Sequence, residues 1–439
     1  MKRVKIIFLL ITLVFPNFIL VSAFFQVNQN SYHSLRLFAD DGVSKDEYNQ
    51  SVTYKVKISF SLTHNQVDDQ KYILNVARIN DRDPDNENTK YTPPYQESEL
   101  KKNEFSGYDI LSNGVIDEYG NTFDCFNATL STATNSEIAM QQEYEVKLSE
   151  IYFKEIKDDD IGEYNYSEDI FELYCNNSIE NYEIDDPDLI TASNSIVDSD
   201  DNPVEKAEKI YDWVIDYLDY DEDMPAKEKG ASWAYDNERG DCSEYSSLMI
   251  TLLRIQKIPA RKVLGYVISN NPLERPEEGD SWTFTNSYDG SEGTLSSSFL
   301  GHAWVEYYVP EIGWIVCDPT WGEVEDFDYF NRIDFFHLAT TVGEWINFGS
   351  LNYSEFPYAP NPAYSDFPTT DDSAFDFEVE AKIEVLETDL VSIEELEWWE
   401  LLLQFLIENW ILVSILAIIL VVSIIVIVKL VKKRKADRY

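Results

Sequence analysis

The chain has 439 residues, 81 of them Asp or Glu against 34 Lys or Arg, for a formal charge of −47 at pH 7. A field of that sign repels nucleic acid and anionic lipid headgroups and favours cationic partners and divalent counterions. With 44% apolar residues it can bury more than one core, and its length suggests two or three domains.

Residues 1–23 read as a secretory signal. Lys2, Arg3 and Lys5 form a basic start, Ile6 to Val21 an apolar stretch, and Val21-Ser22-Ala23 a small-residue cleavage site. Pro16 and Asn17 interrupt the stretch, which argues against a spanning helix and leaves an uncleaved anchor as the alternative. Residues 24–195 then read as a β-rich N-terminal domain. Val52 to Phe60 alternates apolar and polar, the period of a half-buried strand. Lys71 to Ile79, Tyr144 to Phe153 and Ile170 to Cys175 are further strand candidates, and an antiparallel β-sandwich is the economical architecture. Cys125 and Cys175 could pair as a disulfide in an oxidising exterior. The four cysteines include no Cys-x-x-Cys, so no metal site built on thiolates is expected.

A second domain is expected over 200–350. Asn202-Pro203 opens a helix, a capping residue followed by Pro at the first helical position, with Val204, Ala207, Tyr211, Val214, Ile215 and Leu218 on one face. Asp241 can cap a further helix that begins at Cys242, carries Tyr245, Leu248, Met249, Leu252 and Leu253 inward, and ends before Pro259. A cysteine in a first helical turn meets unpaired N–H groups and the positive end of the dipole. Both favour thiolate, and the same N–H groups can receive an oxyanion. His302 begins an alternating strand to Tyr307, and a turn at Pro310 to Gly313 leads into Trp314 to Asp318. In an even-sum antiparallel register His302 and Asp318 share a face and can lie directly opposite. Asp318 then fixes one imidazole nitrogen and leaves the other for Cys242, while Cys317 points the other way and packs.

Residues 351–410 comprise a Pro-, Ser- and Asp-rich linker, a strand from Phe375 to Val385, and a short helix starting at the capping-box spacing of Ser392 to Glu395. Ile411 to Val428 is an apolar run long enough to span a bilayer as one helix. The basic tail, 429–439, places the C-terminus in the cytoplasm by the positive-inside rule, with the preceding domains outside the cell membrane.

Gly240-Asp241-Cys242-Ser243-Glu244-Tyr245, Ile258 to Tyr266, Gly301-His302-Ala303-Trp304-Val305-Glu306 and Asp318-Pro319-Thr320-Trp321 together resemble the transglutaminase-like superfamily. The resemblance implies a papain-like α+β core with the triad Cys242, His302 and Asp318. It also implies acyl transfer: attack on an amide, a thioester, then release to water or to an amine, with no cofactor or metal. Ser243 stands where animal members carry Trp, so the chain looks closer to the microbial branch, whose members are often inferred to be proteases or amidases. Lys257 stands where a Gly commonly precedes Ile-Pro-Ala-Arg. The insertion at 270–300 is expected to line or lid the cleft. Trp233 could donate its indole N–H to the oxyanion or simply pack; His337 reads as structural, and Arg261 as anchoring a loop or pairing an acid.

The fold expected is thus α+β: a papain-like transglutaminase core, preceded by a β-sandwich-like domain and followed by one transmembrane helix. The function expected is a membrane-anchored, outward-facing cysteine enzyme that hydrolyses peptide or isopeptide bonds in a protein or peptide substrate. Its oligomeric state is left open. Glutamine cross-linking is the related alternative, and a catalytically silent adhesion or scaffold ectodomain is the alternative of another class.

Overall fold

The computed structural model describes residues 50–390, apart from 83–93, 108, 118, 154–155, 176–180, 225–227, 272–273, 325–327, 344, 348–357 and 361–373. Chain contacts divide the protein into a unit of residues 1–390 and a second of 391–439. The predicted signal sequence, Ser392 helix, membrane helix and basic tail lie outside the described residues, as does most of the predicted linker. Among the described residues no helix is long and apolar enough to cross a membrane.

Strand β1 (Ser51–His64) buries Val52, Tyr54, Val56, Ile58, Phe60 and Leu62 and turns the intervening residues outward. This is the pleat's period of two, and each such burial is worth roughly 2 kcal/mol. Five more strands follow: β2 (Gln70–Ala77), β3 (Gln96–Ser106), β4 (Asp109–Ile116), β5 (Thr122–Leu130) and β6 (Glu137–Ser149). β2, β5 and β4 make a three-stranded sheet. Its Tyr72, Val76, Phe126 and Leu130 share one apolar cluster with the buried face of β1.

The larger sheet recruits strands from far along the chain. Beyond the Cys242 helix lie β7 (Ala260–Val267), β8 (Ser281–Asp289), β9 (Thr294–Ser297), β10 (Gly301–Val309), β11 (Gly313–Cys317), β12 (His337–Val342) and β13 (Phe375–Asp389). The six-stranded order is β9-β8-β13-β1-β6-β3. β13, the strand expected from Phe375, runs antiparallel to β1 from Ser51 opposite Asp389 to His64 opposite Phe375. Much of the insertion expected to line or lid the cleft is β-structure. β8 and β9 form a hairpin that adds to β13, so their backbone groups are committed to a sheet edge.

The predicted strand Ile170 to Cys175 is instead a helix, α1 (Asp169–Tyr174). Its buried side chains, Phe171 and Tyr174, are three apart, the spacing of a helix face. A six-residue apolar run satisfies both periods, and here packing chose the helix.

The core that carries Cys242 is α+β. Helices α2 (Pro187–Ile196), α3 (Pro203–Tyr217), α4 (Ala231–Asn237) and α5 (Cys242–Ile255) pack beside a four-stranded sheet of order β11-β10-β7-β12. Asn202 caps α3 by accepting from Val204 and Glu205 N–H, with Glu205 reaching back to Asn202 N–H. The predicted apolar face of α3 is buried at Val204, Ala207, Tyr211 and Val214. α5 is buried on nearly all sides, Ser246, Ser247 and Thr251 included, because it lies between the other helices and the sheet.

The exit of α5 explains the lysine where a glycine is common. Ile258 N–H donates to Leu253 O at 3.0 Å and Lys257 N–H to Arg254 O at 2.9 Å, the paired bonds of a Schellman motif. Lys257 occupies its left-handed position, with φ of 64°. A side chain there costs about 1 kcal/mol relative to glycine. Lys257→Gly is therefore expected to raise the urea midpoint by an equivalent of about 1 kcal/mol; an unchanged or lower midpoint would show that the exposed lysine makes a compensating contact.

Candidate active site

The position of Cys242 is set by its neighbours in sequence. Asp241 accepts from Ser243 N–H at 2.8 Å, and Glu244 accepts from Asp241 N–H at 3.2 Å and from Lys229 N–H at 2.7 Å. This reciprocal capping box starts α5 at Cys242, half-buried at the helix tip. Gly240 is required by the same packing: a Cβ there would stand 2.2 Å from Glu244 Cβ. Burial pushes the Glu244 carboxyl up to about 7 against the pull of its two N–H donors.

Side-chain hydrogen bonds near both ends hold α5 against the rest of the core. Ser246 O–H donates to Ala303 O at 3.1 Å, fixing the helix to β10 beside His302. At the far end Arg254 donates twice to Ala260 O, at 3.0 and 2.8 Å, tying the helix to the start of β7.

Cys242, His302 and Asp318 come together. His302 Nε2 lies 2.6 Å from Asp318 Oδ2, which leaves Nδ1 free to serve the neighbouring Cys242. His302 and Asp318 share a face as expected, but the register places them one pair apart. Val305 stands opposite Cys317, so Asp318 lies diagonally from His302 just beyond the last rung. Asp318 is fully buried, and its Oδ1 accepts from Thr320 N–H at 3.0 Å and Trp321 N–H at 3.1 Å. Burial would raise this carboxyl, yet the His302 and His337 imidazoles hold it far below the usual carboxylate range. Burial alone would lower the His302 imidazole, and Asp318 and Cys242 outweigh it, raising the ring to about 9.

His337, expected to be structural only, borders the triad. Its Nε2 lies 3.1 Å from Asp318 Oδ2 and its Nδ1 2.8 Å from Asp334 Oδ1. Sequence offered one hint: the apolar pair Phe335-Phe336 before it predicts burial, and a buried imidazole needs partners. Glu306, two turns of the pleat beyond His302, accepts from Arg261 at 2.7 Å, Arg82 at 3.1 Å and Tyr95 at 2.7 Å. Arg261 thus pairs an acid as expected, and its guanidinium also lies 3.7 Å from the Trp314 ring centroid.

Three other candidates remain, Trp233, Cys125 and Cys175. Trp233 is half-buried on α4, its ring 5.8 Å from the Arg239 guanidinium. Cys125 and Cys175 do not pair; both are buried free thiols. Cys125 lies within β5 opposite Asn75, whereas Cys175 ends α1, and burial pushes each thiol up to about 12. Cys317 is also buried and free, with its thiol 3.9 Å from Met249 sulfur. Among the described residues, ligating atoms of His302, Asp318 and His337 lie within 4.8 Å of one another. Both Nε2 atoms point at Asp318 Oδ2, so the lone pairs a cation would need are engaged in hydrogen bonds.

Residues 190–319 match the family model described as the transglutaminase-like superfamily. This segment is transglutaminase-like. Two curated proteins align with part of the chain. One is the uncharacterized protein YebA of Bacillus subtilis, 34% identical over 88 residues, 20% of this chain and 10% of the relative. The other is a protein-glutamine gamma-glutamyltransferase of Pseudomonas aeruginosa, 36% identical over 87 residues, 20% of this chain and 11% of the relative. The chain thus spans about a tenth of the length of these relatives. A solved structure of a Cytophaga hutchinsonii protein described as a candidate cysteine protease superposes with a TM-score of 0.44 at 16% identity, covering 79% of this chain and 95% of its own. The transglutaminase-like segment contains Cys242 and His302 and reaches Asp318, so the matched region and the assembled triad coincide.

Proposed function

We propose that the protein is a cysteine-dependent acyl-transfer enzyme that hydrolyses peptide or isopeptide amide bonds. One observation carries this reading: a half-buried thiol at a helix start lies beside an imidazole that a buried carboxylate holds at 2.6 Å. Cys242 Sγ passes its proton to His302 and attacks the amide carbonyl. The Cys242 N–H, which has no intrahelical acceptor, is placed to receive the oxyanion. His302 then protonates the departing amine, leaving a thioester, and takes a proton from the water that releases the acid. Asp318 keeps the ring oriented throughout. We further propose that helix 411–428 holds the enzyme at a cell membrane with the catalytic segment outside, on the strength of the apolar run and its basic flank.

A second reading, glutamine cross-linking, draws support from the name of the Pseudomonas aeruginosa relative. The test is full-length protein in detergent with dimethylated casein and a fluorescent primary amine. Hydrolysis yields new termini or deamidated glutamine without fluorescence in the casein, and a Cys242→Ala variant yields neither. Amine incorporation at a rate matching thioester turnover would establish cross-linking instead. If casein is untouched and Cys242 shows no preferential alkylation, the binding-ectodomain alternative stands.

A further inference from the structure

We propose that His337 is a standing cation of this site, an imidazolium clamped between Asp318 and Asp334 that shares Asp318 Oδ2 with His302 and tempers the carboxylate's grip on the His302 proton. It is a positioning residue, and its bearing on catalysis rests on the triad reading above.

The charge follows from counting protons. A neutral imidazole has one N–H, yet both His337 nitrogens face carboxylate oxygens, at 2.8 Å and 3.1 Å. One proton more than a neutral ring supplies must therefore sit on the ring or on an acid. The acids are otherwise occupied. Asp318 Oδ1 accepts from Thr320 and Trp321 N–H, and its Oδ2 from His302. Asp334 Oδ1 accepts from Phe336 N–H at 2.9 Å, and its Oδ2 from Tyr329 O–H at 2.7 Å. Every carboxylate oxygen already receives a donor, an arrangement that favours two ionised acids with the extra proton on the ring.

The surroundings suit a cation. His337 is fully buried, with ring centroids of Trp321 at 4.7 Å, Trp304 at 5.3 Å and Tyr329 at 5.8 Å. The titratable or charged groups facing it are Asp318 after β11, Asp334 before β12, Tyr329 and His302 on β10. Arg332 and Tyr54 approach Asp334 from outside this box. Burial works against the charge, but Asp334 and Asp318 together raise the ring to about 9. The loop bearing Asp334 is itself held by the N-terminal sheet, since Tyr54 O–H on β1 donates to Phe335 O at 3.0 Å.

With a cation already on Asp318 Oδ2, the carboxylate stabilises the His302 imidazolium less, so the ring's Nδ1 proton is more readily given to a leaving amine. Nitrogen-15 NMR of histidine-labelled full-length protein tests the charge directly, with signals assigned by single His→Gln variants. Both His337 nitrogens should show protonated shifts from pH 5 to 8; a neutral tautomer at pH 7 overturns the proposal, whether or not the chain has activity. The coupling is read by alkylating Cys242 with iodoacetate, whose carboxylate is drawn by the His302 imidazolium. Asp334→Asn, which discharges His337 while leaving its bond to Asp318, should move the falling alkaline limb of that profile about one unit higher, as should His337→Gln. Limbs coincident with the unaltered protein would make His337 a core residue without influence on the triad. A profile with no alkaline limb in the unaltered protein would count against the triad reading, and the NMR result would still decide the charge.

Discussion

Alanine at His302 is expected to lower Cys242-dependent amide cleavage by about 10⁶-fold, the order seen when a triad loses its base. In the proposed mechanism the imidazole acts twice, taking the thiol proton before attack and returning it to the amine, so its loss removes both steps. Asp318 cannot substitute, because it lies behind the ring, fully buried, with its oxygens engaged by His337 and two backbone N–H groups. The fold should survive the change. Asp318 keeps His337 as a counter-charge, and the vacated volume lies beside Trp304 and Trp321, whose rings already flank it. Mass spectrometry after a low dose of iodoacetamide near pH 6 supplies an independent readout. Cys242 should be labelled ahead of the buried Cys125, Cys175 and Cys317 in the unaltered protein, and that preference should vanish in His302→Ala. Equal labelling of Cys242 in both proteins would mean that the imidazole does not activate the sulfur.

The parts of the site written in consecutive residues were legible from sequence. Asp241 and Glu244 announce a helix start, and that start places Cys242 at a tip; the alternation from His302 to Tyr307 and the turn before Trp314 put His302 and Asp318 on one face. What sequence could not supply was contact between distant segments. Nothing local in Phe335-Phe336-His337 says that the ring will meet Asp318, nor that β1 will brace the intervening loop through Tyr54. The diagonal offset of His302 and Asp318 depends on the hairpin register, which the residues of Glu311 and Gly313, both at positive φ, determine only once the turn is built. Ile170 to Cys175 was too short to separate the two periods. The Cys125–Cys175 pairing followed from compartment alone, with no distance to constrain it, and the thiols are buried apart.

Glu306 is where the largest loss of stability is expected. Its carboxylate is 2% exposed and serves two guanidiniums and a phenol, Arg261, Arg82 and Tyr95, which come from three separate stretches of chain. Arg261 is also its rung partner across β7 and β10, so the same charge pins the strand that carries His302. Glu306→Gln keeps the shape but strands two buried cations, a change that costs about 3–5 kcal/mol in comparable buried pairs. Acid titration gives the complementary sign. Burial alone would raise this carboxyl, but Arg261 and Arg82 lower it to about 2 in the folded protein, below its unfolded value. The stabilisation is therefore complete above about pH 4.5 and is lost as pH falls towards 2, on the order of 3 kcal/mol in all. Urea unfolding should show the unaltered protein well above Glu306→Gln at pH 7, with the gap closing steadily between pH 4.5 and 2 as the acid takes up the proton that the amide never needed. A gap that persists unchanged at pH 2 would assign the loss to packing, and the charge on Glu306 would then have no part in holding β7 to β10.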